Sequence, residues 1–172
     1  MNNKNYFKNS NNYAEIGAAE ITKYLESTGW NVTNVEGDKA YQILDIDLVA
    51  EKDGETVTIE IKADTYKNTP NYFCETVSNT SKGTKGCFYA TKSDYIFYYF
   101  MEKYELHVIP TQEAQTWLRL NESNYKEVSV KTTGSKGEFW YSNQGRLVKQ
   151  SDLQSAVDVQ IIDFKQYFNI AC

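Results

Sequence analysis

The chain reads as one α/β domain: a mixed sheet of four or more strands, a first helix packed against it, and a small carboxy-terminal elaboration. Three observations carry this expectation. Residues 13 to 28 gather apolar side chains on one helical stripe, residues 41 to 64 alternate in two-residue steps around an Asp-Gly pair, and residues 95 to 100 are apolar on both faces. The first pattern belongs to an amphipathic helix, the second to a β-hairpin, and the third to a central strand. A chain of 172 residues that is 41% hydrophobic can bury one sizeable core and is too short for two full-sized domains.

The elements follow in order. The first twelve residues, MNNKNYFKNSNN, are polar and predict a flexible start, with the domain running from 13 to 172. The helix collects Tyr13, Ala14, Ala18, Ile21, Tyr24 and Leu25 on its stripe and stops at Gly29. An extended run from Trp30 to Val35 follows, then strands over 41 to 50 and 55 to 64, joined through Lys52-Asp53-Gly54, whose Asp-Gly pair favours a type I′ turn. A short strand is expected at 72 to 77 and a Lys/Gly/Ser-rich stretch at 79 to 86, before the strands at 95 to 100 and 105 to 109. Thr111 opens a helix through Leu120. Weaker strands are expected at 127 to 131, 138 to 141 and 159 to 164, with a short helix near 151 to 157. No repeat of 20 to 50 residues is present, so solenoids and propellers are excluded.

Composition narrows the chemistry. One histidine, His107, rules out multi-histidine metal sites and paired-imidazole catalysis, and its apolar strand suits a structural role. Cys74, Cys87 and Cys172 are odd in number and lack CxxC spacing, so reduced thiols are expected rather than disulfides or a zinc knuckle. No apolar stretch approaches a membrane span and no secretory leader is evident, which predicts a cytoplasmic protein without a membrane partner. The net charge of -5 argues against a uniformly basic nucleic-acid coat. The acid is concentrated, however: residues 13 to 60 carry a net -8 and residues 126 to 149 a net +3.

A two-residue turn at Asp53-Gly54 sets the hairpin register. Leu48 then faces Ile59 and Ile46 faces Ile61 on an apolar face, while Asp47 faces Glu60 and Asp45 faces Lys62 on the other. Directly opposed carboxylates about 5 Å apart repel by up to about 3 kcal/mol at an effective dielectric near 20. An exposed Asp45 and Lys62 ion pair is an ordinary strand feature, but nothing in an ordinary strand compensates the opposed Asp47 and Glu60. A hard divalent cation does, and Mg²⁺ or Mn²⁺ suits a two-carboxylate site that takes the rest of its shell from water and phosphate oxygens. Lys62, on the same face, could orient a water or neutralise charge at phosphorus, and the set describes a metal-dependent phosphodiesterase centre.

Asp47-Leu48-Val49-Ala50, the short hairpin and Ile59-Glu60-Ile61-Lys62 resemble the core motif of the PD-(D/E)XK nuclease superfamily, of restriction-endonuclease-like fold. The closing stretch of the first helix, Lys23 to Trp30, is similar to that of Holliday-junction-resolvase-like members, and Lys-Gly-Thr-Lys-Gly before an aromatic strand resembles phage nucleases. The resemblance covers residues 13 to 109, leaving 110 to 172 as elaboration. It implies a hydrolase that cuts DNA, with Asp47 and Glu60 binding Mg²⁺ or Mn²⁺ and Lys62 supporting the water nucleophile. Many members act as homodimers, although no interface is legible here. A first-helix Glu often joins the family's site, commonly about three turns before the terminal Gly. Ala18 occupies that place; Glu15 lies one turn earlier, about 60° round the helical wheel, and is favoured over Glu20 on the far side. The family's Pro before the Asp is replaced by Ile46.

Softer candidates surround this set. Lys82, Lys85 and Lys92, with Gly83 and Gly86 between them, could track a phosphate backbone or form a solvated loop. Glu75 could flank the metal or alternate outward from its strand. Phe139, Trp140 and Tyr141, among Lys131, Lys136, Arg146 and Lys149, suit a core strand better than base stacking. Two other functions stay open: a catalytically inactive nucleic-acid- or protein-binding module on the same fold, and a nuclease directed at RNA.

Overall fold

Asp53 and Gly54 turn the central hairpin with φ of 52° and 85°, the left-handed pair that a type I′ turn requires. In this computed structural model, which describes residues 4–133 and 139–168 and the side chains of 13–131, 139 and 141–167, β2 (Leu48–Lys52) and β3 (Glu55–Asp64) pair in the expected register, Leu48 opposite Ile59 and Lys52 opposite Glu55. Ahead of them lie α1 (Lys4–Ser27) and β1 (Asn31–Asn34), which pairs antiparallel with β2. Helix α1 thus begins nine residues before the expected Tyr13, each added residue contributing one more backbone bond.

The expected strand over 41 to 47 is replaced by α2 (Lys39–Gln42) and a tight turn. The Asp38 carboxylate caps α2 by accepting from the Ala40 N–H at 2.8 Å, and the Tyr41 carbonyl accepts the N–H groups of Leu44 and Ile46. Asp45 takes a φ of 55°, a conformation that Asp tolerates better than most residues. The chain therefore enters the hairpin only at Leu48, and the expected pairing of Ile46 with Ile61 does not form.

Six strands make the main sheet, in the order β1-β2-β3-β6-β7-β10, where β6 is Tyr95–Phe100, β7 is Glu105–Pro110 and β10 is Gln160–Asp163. Strands β3 and β6 run parallel, so the chain between them must cross over. That crossover carries β4 (Asn71–Asn79), β5 (Thr84–Lys85) and the short α3 (Cys87–Ala90). The expected single sheet is accordingly joined by a second. Strands β4 and β5 combine with β8 (Glu127–Thr133) and β9 (Phe139–Lys149) into an antiparallel sheet of order β5-β4-β9-β8. Helices α4 (Thr111–Asn121), α5 (Gln150–Gln154) and α6 (Lys165–Phe168) complete the fold, a mixed α/β architecture with helices flanking both sheets.

Strand alternation sorts the core into two layers. Leu48, Ala50, Ile59, Phe97, Tyr99 and Leu106 pack with Ile21 and Leu25 of α1. Gly17 lets the helix approach closely, since a Cβ there would lie 3.2 Å from that of Ala63. On the other face Ile96, Tyr98, Phe100 and Ile109 pack with Tyr72, Cys74, Phe88 and Val148. The second sheet therefore covers the face opposite α1, and Glu60, Lys62 and Asp64 point toward it.

Candidate active site

The β2–β3 ladder ends at Leu48 and Ile59, which leaves the Ile61 N–H without a strand partner. Asp47 supplies one. Its carboxylate accepts from the Ile61 N–H at 2.7 Å, while its backbone N–H donates to the Ile59 carbonyl at 2.9 Å and its carbonyl accepts from Val35 at 2.8 Å. Three backbone ties thus aim one acid along β3. The Asp47 and Glu60 side chains are close enough for each to shift the other's titration.

Burial dominates the electrostatics of this pair. Glu60, 8% exposed, has its pKa pushed up to about 10 by desolvation and by the charges of Asp47 and Asp45, against the pull of Lys62. Asp47 is raised to about 6 by desolvation, partly offset by the Ile61 hydrogen bond, with Glu36 and Asp45 adding to the rise. At neutral pH Glu60 is the protonated partner. Burial also raises Asp45, reinforced by Glu75 and opposed by Lys62, which places Asp45 beside the same cluster although no ladder pairs it with Lys62.

Lys62 reaches from the main sheet to β4 of the second. Its ammonium is 3.7 Å from a Glu75 carboxylate oxygen and 5.7 Å from the centre of the Phe73 ring. Burial works to lower its pKa, but Cys87, Glu75, Glu60 and Asp64 outweigh that and hold it above the ordinary value. Burial also pushes the Cys87 thiol well up, so at neutral pH that neighbour is uncharged, as Glu60 is, and Glu75 and Asp64 carry the effect. Lys62 is an ammonium, not a free amine.

Glu75, left open between site and surface in the sequence, is buried and turned inward. Asn143 of β9 donates to its carboxylate at 2.6 Å, and the Gly86 backbone lies so close that a Cβ there would fall 2.5 Å from the Glu75 carbonyl oxygen. Tyr98 ties the strand in place by donating to Asp64 at 2.7 Å and accepting the Phe73 N–H at 3.0 Å. Asn143 and Tyr98 are not singled out by the sequence, and Gly86 only as part of a lysine-rich stretch, because their roles depend on which strand becomes whose neighbour.

Glu15 is not brought to this cluster. It is exposed on α1, and α1 covers the opposite face of the main sheet, so the choice of Glu15 as the helix carboxylate is corrected. Glu20 is likewise occupied elsewhere, accepting from the Tyr99 hydroxyl at 2.6 Å. Lys82, Lys85 and Lys92 are all exposed on the stretch that follows β4. His107 is buried, with Nδ1 2.7 Å from the Tyr72 hydroxyl and a pKa lowered by burial, as a structural histidine would be. Cys74 and Cys87 are free thiols, whereas Cys172, Lys136 and the Trp140 side chain lie outside the described residues. Phe139 is exposed and Tyr141 half-buried.

No group of three or more carboxylate, imidazole and thiol side chains among the described residues forms a ready metal cage. The donor set at Asp47 and Glu60 nonetheless fits Mg²⁺ or Mn²⁺, because such an ion needs only one or two carboxylates and completes its shell with water and phosphate oxygens. A dication would also offset the repulsion between the two carboxylates, which raises both of their pKa values. Among the described residues no helix is long and apolar enough to cross a membrane.

Compared with protein families and with curated proteins, the chain matches none. Among solved structures it is similar to a bacterial homing endonuclease, I-Ssp6803I, with a TM-score of 0.50 and 14% identity over 85% of this chain and 86% of that one. At that identity the likeness is one of fold, and it extends over most of both chains.

Proposed function

We propose that the chain is a divalent-metal-dependent endonuclease of the PD-(D/E)XK type that hydrolyses DNA phosphodiester bonds. The observation that carries this reading is the juxtaposition of half-buried Asp47, locked by the Ile61 N–H, with buried Glu60, and the Lys62 ammonium two residues along the same strand face. A fold similar to that of a homing endonuclease supports it. Asp47 and Glu60 would hold Mg²⁺ or Mn²⁺, which when bound supplies positive charge at the phosphate and acidifies a coordinated water.

The chain's own residues do the rest. Asp47 is locked by the Ile61 N–H, so its free carboxylate oxygen is presented without a search through rotamers. Glu60, protonated at neutral pH, would release that proton to solvent in order to serve as a ligand. The Lys62 ammonium donates hydrogen bonds to the attacking water or to a nonbridging phosphate oxygen, and it stabilises the extra negative charge as the new P–O bond forms and the old one breaks. Glu75 and Asn143 hold the lysine at that position.

Plasmid nicking with Mg²⁺ or Mn²⁺ tests the proposal. Asp47→Ala and Lys62→Ala are expected to lower cleavage at least about a hundredfold, the usual cost of losing one such electrostatic group. Parent-like cleavage by both variants would remove the mechanism.

A further inference from the structure

The face of the second sheet that meets Lys62 continues into a cleft. By strand alternation Asn71, Phe73 and Glu75 of β4 share one face, and their partners Lys149, Leu147 and Gly145 of β9 share it with them. Tyr72, Cys74 and Val148 on the opposite face pack in the core with the main sheet, but the Lys62 ammonium reaches this one, lying over Phe73 and against Glu75, and so joins it to the candidate active site. At the far end, where β9 runs beside the residues entering β8, a cleft of about 570 Å³ opens between Asn71 and Lys149 on one side and Asn124 and Lys126 on the other.

Its lining carries two lysines against one carboxylate. Lys126 and Lys149 are exposed, and neither forms an ion pair among the described residues. The carboxylate lining the cleft, Asp152, is already engaged by the Tyr125 hydroxyl at 2.8 Å and by Ser151 at 3.1 Å. Two unpaired ammonium groups and two side-chain amides therefore face an open groove. Such a groove suits a chain of phosphates, which lysines neutralise and amides contact without reading bases.

We propose that this cleft binds the phosphodiester backbone of the nucleic acid to one side of the cutting point; the inference rests on the nuclease reading of Lys62 and its neighbours. Asn71 is four residues along β4 from Glu75, about 13 Å at ~3.3 Å per residue. That span corresponds to about four nucleotides of one strand at ~3.4 Å each. The strand would pass from Lys62 over Phe73 and Leu147 to Lys149 and Lys126. The segment from 126 to 149, basic in an otherwise acidic chain, thereby acquires a role.

Anisotropy titration of a labelled DNA duplex by the full chain, in metal-free buffer over a salt series, tests this. The Lys126→Gln/Lys149→Gln double variant should bind several-fold more weakly than the parent, with the log–log salt slope reduced by about 1.8, or ~0.9 for each phosphate released. Lys67→Gln, whose side chain pairs with Glu102, should bind like the parent. A double variant with the parent's affinity and slope overturns the proposal. So does a parent that binds no DNA but binds polyglutamate through the two lysines, which would make the cleft a protein site. Lysine-dependent DNA binding without any cleavage in Mg²⁺ or Mn²⁺ would instead keep the cleft and remove the nuclease reading.

Discussion

Glu60 is protonated at neutral pH in the folded chain and ionised in the unfolded one, and this makes stability depend on pH. Its folded pKa of about 10 stands above the ordinary 4.5, so between those values the folded state binds more protons than the unfolded. Stability is then fully present below pH 4.5 and declines as pH rises toward 10, with a slope of at most about 1.4 kcal/mol per pH unit for one proton. Asp47, raised from 3.8 to about 6, adds to the decline at its acidic end. Glu60→Gln removes the titration. Metal-free urea unfolding should find the parent losing stability relative to this variant as pH rises from 4 to 8. Equal pH dependence in both proteins would show that Glu60 is not the group responsible. That Asp47, Glu60 and Lys62 lie near one another was legible in the sequence because a two-residue turn fixes which side chains share a face. Glu15 misled because a helical wheel says which side of a helix a residue occupies, but not which side of the sheet the helix covers.

Strand β4 brings Glu75 to Lys62, and two contacts fix its position. Tyr98→Phe leaves the Asp64 carboxylate and the Phe73 N–H each short of a partner, so a loss of about 1 to 3 kcal/mol is expected in urea unfolding, with weaker cleavage as Glu75 drifts. Gly86→Ala drives a methyl group into the Glu75 backbone, where the nearest atom would lie 2.5 Å away. Overpacking of that kind costs about 1 to 3 kcal/mol, and here it also moves β4. Parent-like stability and nicking by both variants would show that β4 is positioned by something else. Strands β3 and β6 were readable with their ends, since alternation and a double-sided apolar run are local signals. The pairing of β4 with β9 was not, because the two strands lie some seventy residues apart and nothing local names the partner. The 41 to 47 segment shows the converse error: its alternation imitated a strand, while the decisive signal was the single Asp38 cap.

At the scale of the molecule, two sheets share one site. The main sheet supplies the acid pair and the lysine, and the crossover that its parallel β3 and β6 require delivers the second sheet to the same face. The charge of -5 does not oppose the proposed nucleic-acid substrate, because Asp47 and Glu60 stand where the proposed cation would bind and the lysines of the cleft beyond them form no ion pair among the described residues. Calorimetric titration of the metal-free protein with Mn²⁺ tests the central claim most directly. The parent should bind, release close to one proton at pH 7 as Glu60 ionises, and bind more tightly as pH rises, while Asp47→Asn should lose the binding. No binding by the parent at millimolar Mn²⁺, or binding that Asp47→Asn leaves unchanged, would contradict the account.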